Sequence, residues 1–298
     1  MSTEPFRFEI ADHGGHAVGV ATIWLSQGDR PVVVLDSGIL DRLEATLDAL
    51  PDGLAGMVLA SAAPRAFVAG ADLKSIMQMG DDELDAYLER GQRIFGRIAS
   101  MPCPTAAAIH GATLGGGFEL AAHCDGLIGK AAPKPYPIGL PECGLNLCPG
   151  WGGSQLLPAR IDPAEGIAQA CAGRTMLFDE AVERGVFDAT AGEGEDVALV
   201  AASWCAARAG QTKPNDGAPL RWIGRDDTHD SVHDALRAAV IAGQETECGR
   251  AVLDCVNAGL EEGWAHALHA ERKHLVALRS TDAAQASIEA FFSKTAKK

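Results

Sequence analysis

The stretch Ile109-His110-Gly111-Ala112-Thr113-Leu114-Gly115-Gly116-Gly117-Phe118-Glu119-Leu120 decides how this chain folds. Thr105 to Ile109, just before it, reads as a short buried strand. Gly115-Gly116-Gly117 then opens a helix through Phe118 to His123. Three glycines in a row cost conformational entropy, and they make sense where a backbone must come close to another group. At a helix N-terminus such a backbone also offers unpaired N–H donors to a carbonyl oxygen that is gaining negative charge. Glu119 falls in the first turn, near those donors. Close helix–strand packing, with Glu119 as a favourable helix-start charge, accounts for the stretch equally well when it is read alone. It is not a phosphate loop, because no Gly-Lys-Ser/Thr follows.

Outward from that centre, strands and helices alternate. Phe6, Phe8 and Ile10 alternate with polar residues, and Val18 to Leu25 is rich in β-branched residues, so the two segments predict a hairpin across Asp12-His13-Gly14-Gly15. Leu40, Leu43, Leu47 and Leu50 share one helical face, with Ser37 as the expected N-cap. Met57 to Leu59 reads as a buried strand. Leu84, Leu88, Gly91, Phe95 and Ile98 mark a second helix, whose acidic start (Asp81, Asp82, Glu83) suits the helix dipole. Gly126 to Ile128 resumes strand character, and Asp162-Pro163-Ala164-Glu165 is a capping-box-like helix start. This alternation predicts a mixed α/β body over 1–190. Residues 191–196 and 209–218 have linker-like composition, and from Ser231 on the pattern is helical, with Val252, Val256, Leu260 and Trp264 four apart. The expected second part is therefore a helical C-terminal region, 191–298.

Composition limits the function classes. The chain has 298 residues, 47% hydrophobic and 22% charged, with a formal net charge of −15. That length allows a large core, and that acidity disfavours nucleic acid and anionic membranes as partners. The opening Met1-Ser2-Thr3-Glu4-Pro5 has neither the basic start nor the apolar run of a signal peptide. The weakly polar run Val197 to Ala207 is too short to span a bilayer. The eight cysteines show no C-x-x-C pattern and mostly sit in apolar company, as buried thiols do. A cytoplasmic location is expected. His266, His269 and His274 fit no standard metal spacing, so no metal site is predicted.

Two further stretches could carry chemistry. In Ala66-Phe67-Val68-Ala69-Gly70-Ala71-Asp72-Leu73-Lys74 an apolar strand end meets a turn, and Asp72 is placed to start a helix. Backbone N–H groups at such a turn can bind an oxyanion, though a plain strand–turn–helix junction also explains it. In Pro137-Ile138-Gly139-Leu140-Pro141-Glu142, followed by Pro149-Gly150-Trp151-Gly152-Gly153, Glu142 is an isolated acid in an apolar loop. A desolvated carboxyl there would hold its proton near neutrality, as a general acid must. The alternative is a surface loop charge, against which the apolar neighbours count.

Taken together and in order, these three stretches resemble the crotonase (enoyl-CoA hydratase/isomerase) superfamily. Val34-Leu35-Asp36, Ile138 to Glu142 and the ending IEAFFSKTAKK (Ile288 to Lys298) are similar, within it, to the hydratase/isomerase module of multifunctional fatty-acid oxidation proteins. The resemblance implies a crotonase-like spiral of ββα repeats with a helical C-terminal region. It implies acyl-CoA thioester ligands, with coenzyme A part of the substrate and no separate cofactor. It maps the oxyanion hole to the backbone N–H groups of Ala71 and Gly116, and the catalytic carboxylates to Glu119 and Glu142. Ala69, Gly70, Asp72, Leu73, Gly115, Pro141, Gly150 and Trp151 would line the substrate site, and Arg65 and Lys74 could meet the phosphates of coenzyme A. The implied activity is that of a lyase, syn hydration of a 2-enoyl-CoA. The alternatives are 3-enoyl-CoA to 2-enoyl-CoA isomerisation or a non-catalytic acyl-CoA-binding subunit. The resemblance also implies a homo-oligomer (trimer, hexamer or dimer). No G-x-G-x-x-G follows a strand, so the expectation is a module alone, without NAD-dependent activity, and with a separate 3-hydroxyacyl-CoA dehydrogenase as partner. Asn146 stands where the family usually has Gly; Asn tolerates a left-handed backbone, so the turn is expected to survive.

Overall fold

The alternation read from the sequence becomes two sheets fed by successive strands. A computed structural model describes residues 4–15, 17–225 and 229–295; Met1 to Thr3 and the Ala296–Lys298 end of the IEAFFSKTAKK segment lie outside them. In chain order the elements are β1 (Arg7–Ala11), β2 (Val20–Leu25), α1 (Ser37–Ala49), β3 (Gly56–Ser61), β4 (Ala66–Val68), α2 (Leu73–Gln78), α3 (Asp81–Ala99), β5 (Thr105–Ile109), β6 (Ala112–Leu114), α4 (Gly116–Ala122), β7 (Gly126–Lys130) and β8 (Pro137–Gly139). A 3-10 turn at Glu142–Leu145 follows, then α5 (Gly153–Leu156), α6 (Pro163–Ala172), β9 (Thr175–Leu177), α7 (Phe178–Glu183), β10 (Ala189–Ala191), α8 (Val197–Ala206), α9 (His229–Ala242), α10 (Glu247–Glu262), α11 (Trp264–Arg279) and α12 (Asp282–Thr295).

One sheet has the order β1-β2-β3-β5-β7-β10 and the other β4-β6-β8-β9. From β3 to β8 consecutive strands go alternately to the two sheets, and helices follow the pairs, which is the ββα spiral expected. β1 and β2 form the predicted antiparallel pair, with Phe8 opposite Ile23. Every later pairing in the larger sheet is parallel. Such strands are covered on both faces, and all six residues of β3 are buried. Their small side chains (Ala60, Ala106, Ala108) let α8 settle closely on the sheet through Val197, Ala198, Ala201, Ala202 and Cys205. The run that looked too short for a membrane is this covering helix. Among the described residues no helix is long and apolar enough to cross a membrane.

Two helix starts differ from the sequence reading. Asp36, not Ser37, is the N-cap of α1: its carboxylate accepts the Ile39 N–H at 2.8 Å. Asp and Ser cap comparably, and the residue just outside the helical backbone takes the role. Trp264 opens α11 rather than closing α10, because Gly263 (φ 92°) breaks the helix between them. The Asp162 cap with Pro163 in the first turn forms as predicted.

By their contacts the residues fall into two interleaved units. One takes the chain up to Ala71, Arg93–Ile138 and Met176–Arg221; the other takes Asp72–Gln92, Gly139–Thr175 and the chain from Trp222 on. The expected cut at 190/191 does not coincide with a boundary between them, since α8 belongs to the sheet unit while α9 to α12 belong to the other. The physical reason is that α8 is needed to cover the parallel sheet, whatever the composition of the segment preceding it.

Candidate active site

Within the sheet unit, the Gly70 and Gly116 segments lie side by side. β4 and β6 pair in parallel, Ala66 opposite Ala112 and Val68 opposite Thr113. A parallel pair ends both strands at the same edge, so the turns that follow are neighbours. The contact is a tight one: a Cβ on Gly117 would lie 2.2 Å from the Val68 carbonyl oxygen. That is a backbone-on-backbone approach that only glycine allows. Gly115 adopts φ 52°, ψ −125°, and its missing side chain leaves the start of α4 without a side-chain cap. The Gly116 N–H is thus a first-turn donor of the kind that helix geometry leaves unpaired. On the other turn, Ala69 N–H donates to Val33 O and Leu35 N–H donates to Gly70 O, both at 2.8 Å. These two bonds fix the backbone on the near side of Ala71, which forms an isolated parallel bridge with Leu35.

Glu119, in the first turn of α4, is 1% exposed. Its backbone carbonyl accepts from His123 Nδ1 at 2.8 Å, which anchors the far end of the helix turn. The His123 ring is itself enclosed, and burial lowers its pKa to about 4, so it stays neutral. Arg65 is exposed.

In the second unit, Asp72 caps α2, accepting from Lys74 N–H at 3.1 Å and from the Ser75 hydroxyl at 2.7 Å. Leu73 packs against the buried cluster of Leu147, Ala284 and Ile288, and the exposed Lys74 places its ammonium 5.4 Å from the Phe292 ring centre. Glu142 starts the 3-10 turn after Pro141. As a residue Glu142 is half-buried, but its Oε2 is wholly shielded and has no hydrogen-bond partner. Desolvation pushes its pKa up; its own backbone N–H offsets part of this, and the Glu271 charge adds to the rise. The turn closes at Asn146, which takes the left-handed φ of 57° and donates from Nδ2 to Ser287 Oγ at 2.8 Å. Asn146→Ala keeps the strained backbone and loses that bond, so a loss of about 1–2 kcal/mol is expected in chemical unfolding.

The Pro149–Gly153 segment is fixed by three contacts from α3. Gly150 O accepts from Gln92 Nε2 at 2.8 Å. Trp151 is 2% exposed, its indole N–H donates to Leu88 O at 3.0 Å, and Tyr87 meets it edge-on at 5.5 Å. Gly150 and Trp151, expected to line the substrate site, are therefore engaged in packing here. Gly91 makes the approach of the indole to α3 feasible, since a Cβ there would sit 2.2 Å from Trp151 Nε1. Gly91→Ala is expected to destabilise the unit by about 1–3 kcal/mol, measured as a lower midpoint in urea.

Sequence reasoning missed Glu271. It is 0% exposed and accepts from Gly152 N–H at 2.6 Å, Ser154 N–H at 2.9 Å and Ser154 Oγ at 2.5 Å. Flanking Arg272 and Lys273 suggest a solvated face, yet Trp264, Ala267, Glu271, Leu275 and Leu278 recur at spacings of three and four. That stripe was the available signal.

Alternating strands in two sheets, with parallel pairing and a glycine-opened helix beside an ordered turn, define the class of α/β fold. The model of the family described as enoyl-CoA hydratase/isomerase matches residues 17–215, and the chain belongs to that family. It is similar to the fatty acid oxidation complex subunit alpha of Aliivibrio fischeri, with 29% identity over 283 residues, 93% of this chain and 41% of that protein. The chain thus spans about two fifths of that relative's length. Among solved structures it resembles the human mitochondrial delta3-delta2-enoyl-CoA isomerase (TM-score 0.68, 21% identity, 98% of each chain covered). It also resembles a carnitinyl-CoA dehydratase from Mycobacterium thermoresistibile (TM-score 0.67, 19% identity, 96% of this chain and 89% of that one). At these identities the structural likeness shows the fold.

Proposed function

We propose that the protein hydrates 2-enoyl-CoA thioesters. The observation that carries this reading is the shielded, unpartnered carboxyl oxygen of Glu142, in a chain of a family whose members act on enoyl-CoA thioesters. Adding water across the conjugated double bond builds negative charge on the thioester oxygen. The Ala71 and Gly116 N–H groups stabilise that enolate, each worth about 3 kcal/mol in sites of this kind. Glu119 orients the water and takes its proton as oxygen attacks C3; Glu142 delivers a proton to C2. An isomerase needs one carboxyl to move a proton between carbons, whereas two acidic residues serve the two proton transfers of hydration. Arg65 and Lys74 meet the phosphates of coenzyme A, and no cofactor beyond the substrate is required.

The test offers crotonyl-CoA and a longer 2-enoyl-CoA and follows loss of the conjugated thioester absorbance. Glu119→Gln is expected to lower turnover about 100- to 10,000-fold. Conversion of a 3-enoyl-CoA with no hydration of either 2-enoyl-CoA would replace this reading by isomerisation. Binding without turnover of any of the three would leave an acyl-CoA-binding subunit. By the same reading the 3-hydroxyacyl product passes to a separate 3-hydroxyacyl-CoA dehydrogenase, and the chain works in the cytoplasm as a homo-oligomer.

A further inference from the structure

The second unit buries two carboxyl groups whose charges bear on each other, Glu142 and Glu271. Their surroundings are opposite. Desolvation raises Glu271 too, to about 7, but it takes three donors that pull it back, two of them backbone amides fixed in a turn. The Ser154 hydroxyl that serves it is held in turn by Gln155 Nε2 at 2.8 Å, which also donates to Cys255 O at 2.8 Å. The Glu142 carboxyl is met only by its own backbone N–H, and its Oε2 has no partner. An ionised carboxylate accepts hydrogen bonds and a protonated one can do without them, so donors decide which member of a buried pair carries charge.

We propose, on the basis of the hydratase reading above, that Glu271 is a positioning residue for Glu142: as the buried anion of the pair it ties down the Gly152–Ser154 turn and leaves the proton on Glu142. Two like charges in one buried region repel, so an anion at 271 disfavours a second at 142. A proton kept on Glu142 is what delivery to C2 requires. Glu271 has no side-chain role in touching the substrate. It acts through the turn and through its charge, and it comes from α11, 129 positions beyond Glu142 (271 − 142).

The other titratable groups in this region are mostly thiols, with Asp254 and His274 beyond them. Cys143 lies in the field of Glu142; the hydrogen bond between Cys148 and Cys255 raises the first and lowers the second, and burial and the Glu271 charge oppose ionisation of both. Cys171 is pushed up to about 12 by burial. Cys248 is the exception, since its hydrogen bond with Cys143 pulls it down to about 6. Asp254 bears on Cys255 and sits 3.6 Å from His274. Cys248→Ser therefore serves as the background in which pH effects are read.

In that background, Glu271→Gln keeps the size of the side chain and removes the charge. The alkaline limb of kcat against pH is expected to move down by about one unit, a tenfold loss above the limb. Glu271→Asp, which keeps the charge, is expected to restore the limb, whereas a merely structural residue would lower kcat at every pH alike. An unmoved limb in folded Glu271→Gln overturns the inference while leaving hydration itself intact. Loss of hydration in wild type would sink the hydratase reading instead. A second measurement needs neither turnover nor a folded Glu271→Gln. The infrared difference between wild type and Glu142→Gln at pH 7 is expected to contain a protonated-carboxyl band, absent from the difference between wild type and Glu271→Asp. Its absence from the first difference overturns the inference whether or not the enzyme hydrates.

Discussion

Glu142→Gln is expected to hydrate crotonyl-CoA about 100- to 10,000-fold more slowly than wild type, equivalent to roughly 3–6 kcal/mol of lost transition-state stabilisation at about 1.4 kcal/mol per decade. The amide cannot donate a proton to C2, while its shape preserves the 3-10 turn. The same variant carries a stability signature of opposite sign. Burial raises the folded-state pKa of Glu142 above its unfolded value, so the folded protein binds more protons than the unfolded chain between the two values. Wild-type stability contributed by this group is therefore fully present below the ordinary glutamate range of about 4.3 and falls as pH rises through the folded value. Glu142→Gln removes that fall, and its urea midpoint is expected to exceed that of wild type at alkaline pH and to approach it near pH 5. A variant with wild-type turnover would remove Glu142 from the mechanism. A variant that is slow, but less stable than wild type at alkaline pH, would show a damaged fold rather than a lost acid.

Lys213→Met carries the second large effect, on stability. Asp125 is 5% exposed and Lys213 is 13% exposed at the side chain, with the ammonium 2.8 Å and 3.0 Å from the two carboxylate oxygens. Asp125 also joins β7 to β5: its Oδ2 accepts Thr105 N–H at 2.8 Å, and its own N–H donates to Thr105 Oγ1 at 3.0 Å. Removing the ammonium leaves a buried charge without its counter-ion, which costs about 3–5 kcal/mol. With a Tm change of about 2–4 °C per kcal/mol for chains of this size, a drop of roughly 10 °C is expected in calorimetry. Asp125→Asn added to Lys213→Met is expected to recover part of it, because the stranded charge is gone. A Tm within a degree of wild type would show that the pair contributes little.

Lys213 illustrates what composition hides. Residues 209–218 read as a linker, and one of them supplies the counter-ion of a buried aspartate 88 residues away. Nothing local marks that lysine, since its partner is chosen by the sheet. Glu271 differs: its helical phase placed it on the buried stripe, and the basic residues beside it masked the signal. Asp36 and Trp264 were misread by one position and by one helix respectively, because caps depend on backbone angles that side-chain type only biases.

The order of strands and helices, the glycine-opened helix and the apolar loop around Glu142 were determined by the sequence itself. Periodicity, glycine and proline act over a few residues, and hydrophobic alternation forces the same answer in any compact chain. The two sheets, the packing of α8, the pinning of Trp151 and the unlike surroundings of Glu142 and Glu271 were decided by tertiary structure alone. Desolvation and hydrogen bonding depend on which distant groups arrive at a point in space, and no local pattern of residues records that.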